Sequence, residues 1–61
     1  MSHAAENFVR GAEMARRLAA DYRRDAQSNE IPPALRDKWL ADAKRADERA
    51  DWYETHARMM Q

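Results

Sequence analysis

The stretch Asp25-Ala26-Gln27-Ser28-Asn29-Glu30-Ile31-Pro32-Pro33-Ala34-Leu35 decides the fold, because both prolines of the chain stand in it side by side. A proline holds the residue before it in extended geometry, which ends a helix arriving from the N-terminal side. The same ring suits the first turn of the next helix, whose amides have no helical partner to lose. Asn29 is the residue expected to take the left-handed conformation after the first helix, and Ile31 is placed to fold back on Leu35. On either side the chain is free of proline, and Gly11 is its only glycine, costing the first helix about 1 kcal/mol relative to alanine. The spacing predicts a helix over about 3–28, a turn over about 29–32 and a second helix over about 33–60. So short a connection forces antiparallel neighbours, so the expected class is all-α: one helical hairpin covering 1–61 as a single domain.

Working outward, alanine recurs every seven residues at Ala5, Ala12, Ala19 and Ala26, with Phe8, Ala15 and Tyr22 three places after the first three. In the second segment Ala43, Ala50 and Ala57 keep the same interval, and Trp39, Ala46, Tyr53 and Met60 fill the other seam position. Two heptad seams of this kind predict a coiled-coil-like pairing in which small residues let the axes approach closely, an arrangement resembling an Alacoil. A turn centred near residue 31 sets Phe8 near Tyr53, Ala15 near Ala46 and Tyr22 near Trp39, and a shift of about half a turn is also open.

Val9, Met14, Leu18, Leu35, Leu40, Trp52 and Met59 fall outside the seam. The apolar stripe is too wide for two helices, and a four-helix bundle made by a homodimer is the expected assembly. The half of the hairpin nearest the turn carries +3 and the half nearest the termini −3, so a dimer with its loops at opposite poles pairs unlike charges.

Composition bounds the function. Sixty-one residues, 44% hydrophobic and 36% charged, are too few for a conventional enzyme fold with its own cleft. There is no cysteine for a disulfide or thiolate site, one glycine cannot build a phosphate loop, and the three Ser and Thr residues show no catalytic arrangement with a His and a carboxylate. His3 and His56, with Glu6 and Glu54, are read as solvated helix-end residues, so no metal, cofactor or catalytic residue is expected. No apolar run suits a membrane span or a signal peptide, which makes the cytoplasm the expected location. Eleven basic residues against eleven acidic ones leave no net field to draw nucleic acid.

Two surface features stand out. Trp52 and Met59 lie seven residues apart, off the seam, where either a dimer interface or a hot spot for another protein would use them. Arg45, Arg49, Thr55 and His56 would form the rim. Arg10, Arg16, Arg17, Arg23 and Arg24 line the first helix, either as a solvated face with pairs such as Glu6 to Arg10 and Glu13 to Arg17, or as a stripe for a partner.

The near-equal helices, short turn, seam alanines and length resemble, over the whole chain, the Rop-like plasmid copy-number regulators. That resemblance implies a dimeric hairpin and, as an alternative function, recognition of paired RNA loops; it carries over no RNA-binding residue, and the stripe Arg16, Arg17, Arg23 and Arg24 is the surface this chain itself would offer. The chain also resembles the small helical accessory proteins of phages and mobile elements, which bind and inhibit a larger host protein. The first expectation is therefore a non-enzymatic protein-binding module that regulates or inhibits a larger protein. An RNA-binding regulator and a purely structural oligomerisation element are the alternatives.

Overall fold

Alanine, arginine and glutamate carry both segments into helix, since straight-chain residues and alanine lose little freedom there. In the computed structural model, which describes residues 3–60, α1 runs His3–Ala26 and α2 runs Pro33–Met59, joined by residues 27–32. The helices lie antiparallel in a rod whose Cα extents are 45 × 12 × 10 Å. No helix among the described residues is long and apolar enough to cross a membrane.

The turn differs from its sequence reading in two details. First, α1 stops at Ala26, short of Ser28, and Gln27 and Ser28 donate to the carbonyls of Arg24 and Asp25 in the tighter pattern of a closing turn. Second, no described residue has a left-handed backbone, Asn29 included. What satisfies the helix end is a side chain from the other helix. Arg36 donates from Nε to the Ala26 carbonyl at 2.8 Å and from Nη2 to the Ser28 carbonyl at 3.0 Å. A guanidinium there also suits the negative end of the α1 dipole. Glu30 N–H donates to Ser28 Oγ at 3.3 Å within the connection. Pro32, extended at φ −62° and ψ 148°, then opens α2, its carbonyl accepting from both Leu35 and Arg36.

The seam is alanine throughout. Ala5, Ala12, Ala15, Ala19 and Ala26 of α1 and Ala43, Ala46, Ala50 and Ala57 of α2 are the buried side chains among the described residues. Ala12, Ala15 and Ala50 pack with Tyr53 towards the open end, and Ala19, Ala43 and Ala46 with Tyr22 towards the turn. Phe8 and Tyr53 meet with ring centroids 5.9 Å apart, the pairing that a turn near residue 31 requires. Met60, expected in the seam, lies outside it at 44% exposure: α2 ends at Met59, and no described turn of α1 extends far enough to cover the next residue.

Candidate protein-interaction face

At 100° per residue, a side chain four places after a seam alanine leans to one side of the hairpin and one a single place before leans to the other. The antiparallel partner follows the same rule, so each side of the seam is built by matching positions of both helices. The two sides differ in kind.

On the first side stand Arg16 and Arg23 of α1, four places after Ala12 and Ala19, opposite Asp47, Asp51 and Glu54 of α2. Arg16 donates to Asp51 Oδ1 at 2.7 Å, to Glu54 Oε1 from Nη2 at 2.9 Å and from Nε at 3.1 Å, and to Asp47 Oδ1 at 3.3 Å. Arg23 holds the other oxygen of Asp47. Asp47 thus bridges two arginines. Hydrogen bonds from Arg23 first and Arg16 second hold its carboxyl below the usual aspartate range. Arg16, bonded to Asp51 and Glu54, is held more firmly protonated still. The pairs anticipated within α1, Glu6 to Arg10 and Glu13 to Arg17, do not form: among the described residues Arg10 and Arg17 have no ionic partner, and the interhelical pairs fall to Arg16 and Arg23 instead.

On the second side an open groove of about 420 Å³ runs along the seam. Its floor is Ala15 and Ala46; Met14 and Leu18 form one wall and Tyr53 the other, with Arg17, Asp21 and Arg49 at the rim. Met14 is 68% exposed and Leu18 45%. Gly11 belongs here for a reason of space, since a Cβ on it would stand 3.2 Å from three ring carbons of Tyr53. The ring lies across the glycine.

Tyr53 continues the groove into an aromatic cluster near the open end. Trp52 meets Tyr53 edge-on at 5.5 Å and Phe8 edge-on at 5.7 Å, and it stacks on the His56 imidazole with centroids 3.8 Å apart. The Nδ1–H of His56 donates to the Trp52 carbonyl at 2.8 Å, which fixes the ring against the indole. Half of Trp52 remains open to solvent.

Of the rim residues named from the sequence, the structure brings His56 against Trp52 and sets Arg49 along the same groove beside Tyr53. Arg45 is occupied by Asp42, whose carboxyl is held low by hydrogen bonds from Lys38 and then Arg45. Met59 and Thr55 are exposed and make no ring or polar contact among the described residues. The four arginines of the alternative RNA face divide as well. Arg16 and Arg23 are engaged across the hairpin, Arg24 pairs with Asp21 and Asp25, and Arg17 stays unpaired at the groove rim.

His3 pairs with Glu6 at 3.8 Å and Glu54 is taken by Arg16, so the two histidines and two glutamates of the open end do not converge. Sequence reasoning missed Gly11, Arg36 and the Arg16 network as functional parts. The position rule relative to the seam alanines was the signal that would have found the network.

Comparison with protein-family models, with curated proteins and with solved structures gives no match to this chain.

Proposed function

We infer that the chain is a non-enzymatic interaction module, a helical hairpin that self-associates and engages a larger protein through the aromatic end of its groove side. One observation carries the reading: every buried side chain described is an alanine, while Val9, Met14, Leu18, Leu40, Trp52 and Met59 are between 39% and 72% exposed. Burying a methyl is worth about 0.8 kcal/mol and burying a leucine or methionine about 1.5–3. A chain selected only to fold would put its large side chains in the seam. Here these six lie outside it, with the Trp, Met and Arg content that marks protein-binding anchors.

Protein is favoured over RNA as the partner because Arg16 and Arg23 are neutralised by three carboxylates of α2 and the net charge is zero. The engaged partner would be regulated or inhibited by occlusion, as the docking of a helix face implies.

Capture from an extract of the native host, with and without nuclease, tests the reading when wild type is run beside Trp52→Ala. The expected result is a nuclease-resistant protein partner that the variant loses while its circular dichroism stays helical. Recovery that depends on RNA and on Arg17 and Arg24 would replace it with the RNA-binding reading. Sedimentation showing a stable 7.1 kDa monomer at every concentration would remove the self-association half.

A further inference from the structure

The groove side is an uncommitted apolar surface of the hairpin, and three observations bear on what covers it. The first is its one-sidedness. The opposite side also has an open hollow, of about 390 Å³ at Val9, Ala12, Glu13, Arg16 and Glu54, but it is rimmed by Arg16, Arg23, Asp47, Asp51 and Glu54, charged groups that a second apolar surface would have to strip of water at a cost. The groove side instead presents Met14, Leu18 and Tyr53 over an alanine floor.

The second is area. A rod 45 Å long and two helices wide offers a face of roughly 900 Å², against about 800 Å² per partner in a stable interface. A single added helix would cover only half of it. A second hairpin centred near Leu18 covers most of it and leaves the open end around Phe8 free, since residue 28, which would stand opposite Phe8, lies beyond the end of α1.

The third is charge. Arg17 has no partner among the described residues, and Asp21, one turn further along the same helix, makes only an exposed pair with Arg24. A two-fold axis across the rod near Leu18 lays α1 antiparallel on α1 of the other copy. Leu18 then meets its own counterpart, Met14 meets Tyr22, and Arg17 comes within reach of Asp21 twice over. Self-complementarity of this kind is what a two-fold interface demands.

We propose that the groove side is the homodimer interface, with loops at opposite poles and reciprocal Arg17 to Asp21 contacts between copies. The proposal rests on the self-association inferred above and assigns it a face, a symmetry and a pair of residues.

Charge reversal tests it. Arg17→Glu sets a carboxylate beside Asp21 of the other copy, and Asp21→Arg sets two guanidinium groups together, so each variant should dimerise about tenfold more weakly or worse. Mixed in equal amounts, the two variants should form a heterodimer of near wild-type affinity, because one reciprocal contact pairs the two introduced charges and the other the two retained ones, opposite in sign in both cases. Sedimentation equilibrium reads this directly, and the return of helical ellipticity on mixing reads it even where the separate variants unfold. Leu18→Glu should abolish the dimer, while Val9→Glu, beside Arg16 on the opposite side, should leave it intact. A wild-type dimer that survives Leu18→Glu, or variants that fail to recover on mixing, would overturn the interface while leaving self-association standing. A wild type that never dimerises would overturn both.

Discussion

Four places after a seam alanine the hairpin carries Arg16 and Arg23 on α1 and Asp47 and Glu54 on α2; one place before, it carries Gly11, Leu18 and Arg49. The first set ties its side of the seam with ion pairs between the helices, beside a charged-rimmed hollow at Val9, Ala12, Glu13, Arg16 and Glu54, while the second borders an apolar groove. Both sides rest on the same alanines. The closed side is self-sufficient in water, since its charges satisfy one another and keep a solvated outer edge. The open side leaves Met14 and Leu18 exposed to water. An alanine seam thus fixes the geometry of the pair, and the choice of residues one place before or four places after decides which side is finished.

The largest effect should come from the floor both sides share. Ala50 is fully buried between the helices, so Ala50→Leu forces them apart and should cost about 1–3 kcal/mol, read as a lower melting temperature. Because the helices must separate, the ion pairs and the groove should both be lost. A variant that melts as wild type does would show that the helices are not held at alanine distance.

Next comes the closed side alone. Arg16→Met keeps much of the aliphatic stem and removes every bond to Asp47, Asp51 and Glu54, so the melting temperature should fall by less than for Ala50→Leu. The deficit should shrink as salt is added, because surface pairs are screened. Asp47 gives the same contrast a pH axis. Its native carboxyl titrates below the unfolded value of about 4, so its contribution is present in full above that value. It is lost as the pH falls through the lower native value. Asp47→Asn should flatten the acid limb of a stability profile and leave the groove variants' behaviour unchanged.

The fold was legible because its signals are local and repeated: two adjacent prolines, and alanine at every seventh place on both sides of them. The register was legible only in part: Phe8 meets Tyr53 as a turn near residue 31 requires, but Ala15 clusters with Ala50 and Ala46 with Ala19 and Ala43, and Tyr22 makes no ring contact with Trp39 among the described residues. The site was less legible, for physical reasons. Arg16 and Arg23 look like two more arginines in a basic run until the antiparallel register sets Asp47 and Glu54 opposite them, and only then does a solvated stripe become a clamp. Arg36 reads as one charge among several near the turn. Counting back seven from Ala43 places it at the next seam position, where no alanine is needed because the facing residue, Ala26, is the end of α1 and its carbonyl wants a donor. Met60 fails as a seam residue because the sequence periodicity runs through it while α2 itself ends at Met59.

The smallest effect belongs to Gly11, which the sequence presents as a defect in a helix and the structure presents as the seat of the Tyr53 ring. Two contributions oppose one another in Gly11→Ala. Helix propensity favours alanine by about 1 kcal/mol. Against it, the new methyl would stand 3.2 Å from the ring, which must shift by a few tenths of an ångström. Tyr53 is half-buried and opens onto the groove, so the ring has somewhere to go, and the variant should be slightly more stable, by less than about 1 kcal/mol. Repeating the substitution in a Tyr53→Ala background isolates the ring's share, because the full propensity gain should then appear. A variant destabilised in the wild type yet stabilised without Tyr53 would mean that Phe8 and Trp52 hold the ring rigidly. The open side would then contribute to folding as well as to binding, and the contrast between the two sides would narrow to the charge they carry.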